Sequence, residues 1–188
     1  MQNHDHGGPP GPALDEDTIA FAGRVFQYAR LGHHAELGDL LRMGLPPNLR
    51  NDKGDTLLML ASYHGHAETA GLLLAHGADA ELANDRGQTP LAAAAFKGAM
   101  PVVLALLDGG AAVDGAGPDG RTALTTAAMF NRTEMVALLL SRGADPGRRD
   151  ASGHTAESAA RAMSAPDTPG QLARAAGAEG SPDAGAPA

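Results

Sequence analysis

Apolar and polar positions along the middle of the chain recur with a period of 33 residues. Each unit contains two stretches with apolar residues at helical spacing, as in Thr56 to His64 and Glu68 to His76. Gly65 and Gly77 follow these stretches and indicate where each helix ends. Between units, a polar run such as 79–87 has the composition of a projecting hairpin turn. The pattern therefore predicts an all-α fold in which two-helix units are joined by hairpin loops.

Several residue types keep the same register from unit to unit. The recurring columns are the glycines Gly54, Gly87, Gly120 and Gly153, the threonines Thr56, Thr89, Thr122 and Thr155, and the alanines Ala61, Ala94, Ala127 and Ala160. A fixed internal period of roughly 20 to 50 residues indicates a solenoid or a related array. Because one unit cannot bury enough apolar surface to fold alone, neighbouring units must share their core. Small alanine columns let adjacent helices approach closely, and leucine fills the space between units.

One column predicts a particular backbone conformation. Gly65 and Gly98 are followed in the same register by Asn131. Since Asn is the usual replacement for glycine at a left-handed position, this column predicts a positive φ where the first helix of each unit ends. The Gly77 column predicts the end of the second helix in the same way.

The second full unit carries the most complete motif. Its sequence runs Asn84-Asp85-Arg86-Gly87-Gln88-Thr89-Pro90-Leu91, followed by Leu106-Leu107 and Gly110-Ala111. This motif, repeated in register by the units on either side, resembles the ankyrin repeat family. The resemblance implies an ankyrin-repeat solenoid of antiparallel helix pairs with projecting hairpin loops. It covers a leading cap at 18–50, repeats at 51–83, 84–116 and 117–149, and a closing cap at 150–164.

Two terminal segments lack the periodic pattern. Residues 1–17 form an acidic arm with almost nothing apolar to bury, and we expect this arm to be disordered. In residues 165–188, 16 of the 24 residues are Ala, Gly or Pro. Prolines such as Pro166 and Pro169 are expected to interrupt a helix there. The sequence therefore predicts a disordered tail from residue 165.

The chain departs from the family motif at two places. The Thr-Pro-Leu-His motif of the family retains no histidine, because its column holds Met59, Ala92 and Thr125. The resemblance implies that the hydrogen bonds made by this histidine are absent and that the stack is less stable. The third hairpin has Gly117 where its column otherwise holds Asn or Asp, and we expect it to be the most mobile loop.

Composition and charge exclude several classes of protein. The chain has no cysteine, which excludes a disulfide scaffold and cysteine-ligated zinc. A net charge of −8 argues against binding to nucleic acid or to anionic membranes. No apolar stretch approaches the roughly 20 residues that a membrane helix needs, and the N-terminus lacks the features of a signal peptide. We expect a cytoplasmic, monomeric protein.

Motifs that carry catalytic or cofactor chemistry are absent from the sequence. It contains no Gly-x-Ser-x-Gly elbow, no Gly-x-x-x-x-Gly-Lys phosphate loop, no His-Glu-x-x-His and no Gly-x-Gly-x-x-Gly before a helix. His64 and His66 with Glu68 suggest a metal site by spacing alone. However, His66 matches the structural Gly-His pair of the ankyrin family, so no metal and no cofactor are predicted.

The resemblance also implies which residues bind a partner. In this family, the residues that vary between units lie on the hairpin tips and the exposed side of the first helix, where they form a concave recognition face. By register, these residues are Asp52, Lys53, Asp55, Tyr63, His64, Asp85, Arg86, Gln88, Phe96, Lys97, Asp119, Arg121, Met129 and Phe130, with Ser152 and His154 extending the row. Aromatic side chains ringed by charges are typical of protein-binding hot spots. In a second interpretation, Phe96 and Met129 fold back as packing against the neighbouring repeat.

These features favour a non-enzymatic protein-interaction module, either an adaptor or a regulatory binding protein, that uses the concave face of an ankyrin stack. Two alternatives stay open. One is an accessory, stress-related protein that assists a specific enzyme, as some bacterial members of the family resemble. The other is a small metal-dependent hydrolase on the same scaffold, which would need a polar cleft with perturbed carboxylates or histidines.

Overall fold

A computed structural model describes residues 15–179, which fold into ten helices joined alternately by short turns and by longer hairpin loops. The helices are α1 (Glu16–Leu31), α2 (His34–Arg42), α3 (Leu57–His64), α4 (Ala67–Ala75), α5 (Pro90–Lys97), α6 (Met100–Asp108), α7 (Ala123–Met129), α8 (Thr133–Ser141), α9 (Ala156–Ala162) and α10 (Thr168–Glu179). Consecutive helices pack as antiparallel pairs. The odd-numbered helices form one layer and the even-numbered helices a second layer behind it. This arrangement confirms the predicted all-α solenoid of helix pairs.

The threonine column begins the first helix of each repeat. Its four hydroxyls each accept a hydrogen bond from the backbone N–H three residues further on, at 3.0 to 3.3 Å. The capping residues are Thr56, Thr89, Thr122 and Thr155, which precede α3, α5, α7 and α9. Because the first amides of a helix have no partner within the helix, each cap stabilises its helix by about 1 kcal/mol.

The predicted left-handed column is confirmed. Gly65, Gly98 and Asn131 have φ angles of 86°, 73° and 52°. Gly77, in the column that ends the second helix, has a φ of 83°. These angles explain why the columns hold glycine. In the register of Gly65, asparagine replaces it at Asn131, and serine replaces it at Ser164 with a φ of 57°.

Leucine and alanine side chains fill the space between the layers. Ala61, Ala94 and Ala127 are fully buried, as are Leu58 and Leu124. Since neighbouring first helices pack directly against one another, the small alanine side chains permit the close approach that the sequence predicts. No repeat has a core of its own, and the folded chain depends on the stacking of its units.

Side chains other than the motif histidine connect successive repeats. Nε2 of His66 lies 2.8 Å from the carbonyl oxygen of Arg30, and Nη2 of Arg132 donates to the carbonyl of Phe96 at 3.3 Å. After the second helix of three units, a side-chain oxygen accepts a hydrogen bond from a backbone N–H of the following repeat, at 2.8 to 3.2 Å. These acceptors are the side-chain oxygens of Asn48, Glu81 and Asp114. The stack therefore retains hydrogen bonds between repeats although the motif histidine is missing.

The hairpin loops are organised by the side chain of an Asn or Asp in three of the four repeats. In the second of these loops, Oδ1 of Asn84 accepts the backbone N–H groups of Arg86 and Gln88, each at 3.0 Å. Asn51 and Asp150 make the equivalent pairs of hydrogen bonds in their own loops. At the remaining loop, Gly117 supplies no such acceptor.

The two predicted terminal segments compare differently with the structure. Residues 1–14 of the predicted acidic arm lie outside the described residues, and α1 begins at Glu16, within the segment expected to be disordered. Oδ1 of Asp15 caps this helix by accepting the backbone N–H of Thr18 at 2.7 Å. This hydrogen bond holds the pKa of Asp15 below its usual value.

The prediction of a disordered tail at 165–188 is wrong for residues 168–179, which form α10, and residues 180–188 lie outside the described residues. Pro169 lies in the first turn of this helix, where the amide that proline lacks has no helical partner. Leu172 is buried against the last repeat, with only 1% of its surface exposed. The hydroxyl of Thr168 donates to the carbonyl of Ala128 at 2.7 Å. The buried side chains of Leu172 and Thr168 and the hydrogen bonds to the preceding repeat thus dock this segment as the second helix of the closing repeat.

Among the described residues, Thr69 in α4 carries a buried hydroxyl without a hydrogen-bond partner. The same column holds Val102 and Met135 in the next two repeats, both buried. We expect Thr69→Val to raise the free energy of unfolding by about 1 kcal/mol, because it removes an unsatisfied polar group at nearly constant volume. Urea unfolding followed by circular dichroism measures the change. The matched variant Thr56→Val removes a capping hydroxyl and should instead lose about 1 kcal/mol. A loss of stability in Thr69→Val would contradict the prediction.

Candidate protein-binding groove

The hairpin loops and the first helices of the repeats together line two neighbouring grooves. The larger groove has a volume of about 550 Å³ and lies between the first two loops and α3. The smaller groove has a volume of about 260 Å³ and lies between the second and third loops and the α5 and α7 helices. Arg86 and Gln88 line both grooves. We refer to the two together as the concave groove.

Three aromatic rings from successive repeats form a continuous row along this groove. The ring centroids of Tyr63 and Phe96 are 6.3 Å apart in a stacked arrangement, and those of Phe96 and Phe130 are 4.6 Å apart edge to face. Tyr63 is 36% exposed and Phe130 is 43% exposed, while Phe96 between them is half-buried. Phe96 thus packs against its neighbours and also contributes to the surface, and Met129 is likewise half-buried.

Cationic and imidazole groups surround the first ring of the row. The Lys97 ammonium lies 5.0 Å from the ring centroid of Tyr63, within the range of a cation–π contact. The His64 ring meets Tyr63 edge-on at 5.3 Å. The pKa of His64 is lowered, first by burial and then by the positive charges of His66, Arg30 and Lys97. At neutral pH, His64 is therefore an uncharged ring beside the aromatic row.

The structure brings together most of the residues that the resemblance assigns to partner binding. All of them line the concave groove except Lys97, which lies over Tyr63, and Ser152 and His154, which are exposed at the closing end. Asp55 lines the groove but is only 7% exposed. Its Oδ1 accepts a hydrogen bond from Nδ2 of Asn84 at 2.8 Å and so ties two repeats together.

Two further predicted carboxylates are held by neighbouring cations. Oδ1 of Asp85 lies 3.6 Å from Nη2 of Arg50. Asp119 and Asp150 both have an oxygen 3.9 Å from Nε of Arg121. The pKa of Asp150 is lowered, chiefly because its carboxylate accepts the backbone N–H of His154.

Several groove residues were not predicted from the sequence. Arg30 lines the larger groove from α1, and Met59 and Leu60 form part of its floor. Arg30 stands 33 residues before Tyr63, so the repeat register would have identified it. Its column is hard to recognise because the leading repeat is degenerate.

The histidines that suggested a metal site have other contacts. His66 turns Nε2 to the carbonyl oxygen of Arg30, and the Glu68 carboxylate lies 3.6 Å from Nδ1 of His34. Within residues 15–179, no group of three or more His, Asp or Glu side chains is placed to hold a metal ion. Within the same residues, no helix is long and apolar enough to span a membrane.

Comparison with known proteins agrees with this architecture. The sequence model described as "Ankyrin repeats (3 copies)" matches residues 25–116 and 73–150. The chain belongs to the ankyrin repeat family. A protein of Pseudomonas aeruginosa described as an ankyrin repeat protein is 60% identical over 58 residues, which is 31% of this chain. The match spans only 34% of that relative's length. Ankyrin repeats in general mediate protein–protein interactions, and proteins of this family are typically non-enzymatic.

Proposed function

We propose that this ankyrin repeat protein is an adaptor or regulatory protein that binds another protein through its concave groove. The observation that carries the proposal is the row of Tyr63, Phe96 and Phe130, which leaves two large rings exposed in a chain with only six Phe and Tyr residues. Exposed aromatic anchors within a charged rim are the arrangement that dominates binding energy in protein interfaces.

The rigidity of the row favours tight binding. The three rings contact one another, so their rotamers are already restricted before a partner arrives. Association therefore costs less side-chain entropy than it would for isolated flexible side chains. The helices behind the rings are anchored by buried leucines and alanines, so the groove presents a preformed surface.

The groove is a partly open cleft and not an enclosed cavity. Its carboxylates are engaged by neighbouring side chains in several cases, such as Asp55 with Asn84 and Asp85 with Arg50. These observations support a binding surface over the hydrolase alternative.

A double variant tests the proposal. We expect Phe96→Ala with Phe130→Ala to weaken partner binding by at least about tenfold, since each truncation removes an aromatic anchor. The measurement is affinity capture from the native lysate, with identification of the retained protein, followed by titration of that purified partner.

Met43→Ala is the matched control, because Met43 is 83% exposed and does not line the groove. This variant should bind the partner as the wild type does. Circular dichroism and urea unfolding establish that the double variant is folded under the assay conditions. Equal capture by the folded double variant and the wild type would contradict the proposal.

A further inference from the structure

Some charged side chains of the concave groove make hydrogen bonds or ion pairs within the repeat stack, and others do not. The carboxylate of Asp55 is hydrogen bonded to Asn84, and Asp85 and Asp119 lie within 4 Å of arginine side chains. By contrast, no carboxylate of the described residues lies within ion-pair distance of the groove cations Arg30, Lys53 and Arg86, or of Lys97 beside the groove. Within residues 15–179, the groove carboxylate of Asp52 has neither a hydrogen-bond partner nor an ion-pair partner.

Among the groove residues without an oppositely charged partner, the cations Arg30, Lys53 and Arg86 outnumber the carboxylates Asp52 and Asp55, although the whole chain carries −8. Two of these cations show how far the positive charge extends along the groove. Arg30 comes from α1 at one end, while Arg86 lines both grooves near the middle. Since ionic screening limits the field of distant charges to about 8 Å at physiological salt, the nearby cations decide which ligand the groove attracts.

The state of His64 supports this distribution. Its pKa is lowered first by burial, and the positive charges of His66, Arg30 and Lys97 lower it further. The groups that face His64 are the His66 imidazole, the Arg30 and Lys97 side chains and the Tyr63 ring. Burial disfavours any charge at this position, but the contribution of the neighbouring positive charges is one that favours an incoming carboxylate.

We propose that the partner presents an acidic, aromatic-containing peptide segment to the concave groove. Its carboxylates lie opposite Arg30, Lys53 and Arg86, and its apolar side chains contact Tyr63, Phe96 and Phe130. Charge complementarity selects this segment and speeds its association, while burial of the rings supplies most of the affinity. This inference rests on the proposed function of the groove and adds the chemistry of the partner.

The test uses a phage-displayed library of random 16-residue peptides selected on the purified full chain. We expect the enriched peptides to carry net negative charge and at least one aromatic residue. Their affinities, measured as synthetic peptides, should fall as sodium chloride is raised. Lys53→Glu with Arg86→Glu should weaken binding of these peptides by about tenfold or more.

A matched control separates local charge from net charge. Arg148→Glu with Arg174→Glu changes the net charge by the same amount, and both residues are exposed away from the groove. This control should retain wild-type affinity. Enrichment of neutral or basic peptides, no enrichment at all, or equal weakening by both charge variants would overturn the proposal.

The same selection distinguishes this inference from the proposed function. If neutral peptides are enriched and Phe96→Ala with Phe130→Ala abolishes their binding, the groove is a binding site but the acidic preference is wrong. If the enriched peptides bind that double variant as tightly as the wild type, the aromatic row is not the binding surface. In that case both proposals fail.

Discussion

Ending the chain at Ser164 is expected to lower the free energy of unfolding by about 3 kcal/mol or more. The truncation removes α10 and with it the buried side chain of Leu172, whose loss alone is worth about 2 to 5 kcal/mol in a packed core. It also removes the Thr168 hydroxyl that donates to the Ala128 carbonyl and the Asp167 backbone N–H that donates to Asn131. A repeat stack needs its terminal units to cover the core of the preceding ones.

Urea unfolding monitored by circular dichroism measures this loss, and the slope of free energy against urea should also fall, because less surface becomes exposed on unfolding. The point variant Leu172→Ala should lose at least about 2 kcal/mol without shortening the chain. Arg174→Ala on the same helix is exposed and should be close to neutral. If the truncated chain and Leu172→Ala both unfold like the wild type, the packing of α10 does not contribute to the free energy of unfolding, and the prediction is wrong.

The C-terminal segment shows where composition is a poor guide to structure. Pro166 and Pro169 were interpreted as helix breaks, but they stand before and within the first turn of α10, where proline is tolerated. The alanines that accompany them favour helix intrinsically. Leu172 is the one large apolar residue whose burial fixes the helix in place, and a single residue shows no periodicity in the sequence.

The repeats themselves could be predicted because each column expresses a local requirement. Threonine before the first helix supplies a capping oxygen, and Gly65, Gly98 and Asn131 supply a left-handed residue. These requirements depend on neighbours within four residues, so they appear directly in the sequence. The lining of the concave groove followed from the same register, because the columns of equivalent repeats lie side by side.

The electrostatic state of the groove could not be predicted in this way. Whether Asp55 is available to a partner depends on Asn84, which is 29 residues away. Whether Arg121 is available depends on Asp150 in the following repeat. Contacts of this kind depend on the geometry between units. The sequence therefore identified the charged residues but not which of them make hydrogen bonds or ion pairs within the fold.

Gly117→Asn is expected to destabilise the protein by about 3 kcal/mol, although it restores the residue type that Asn51 and Asn84 provide in their own loops. A Cβ atom at Gly117 would lie 1.9 Å from the carbonyl oxygen of Gly87, which belongs to the backbone of the preceding loop. Real side chains do not approach backbone atoms so closely, so one loop must move. The benefit of the restored turn hydrogen bonds, about 1 kcal/mol each, does not offset that displacement.

The expected loss comes from crowding and not from backbone conformation, because Gly117 is not among the residues with a positive φ. Gly71→Asn is the matched control, since a Cβ at Gly71 in α4 meets no atom within 4 Å. Replacing a helical glycine there should leave stability unchanged or raise it slightly. Thermal and urea unfolding of the two variants should therefore differ in sign or by several kcal/mol. A Gly117→Asn protein at least as stable as the wild type would mean that the third loop is free to move away from Gly87, as expected for a mobile loop.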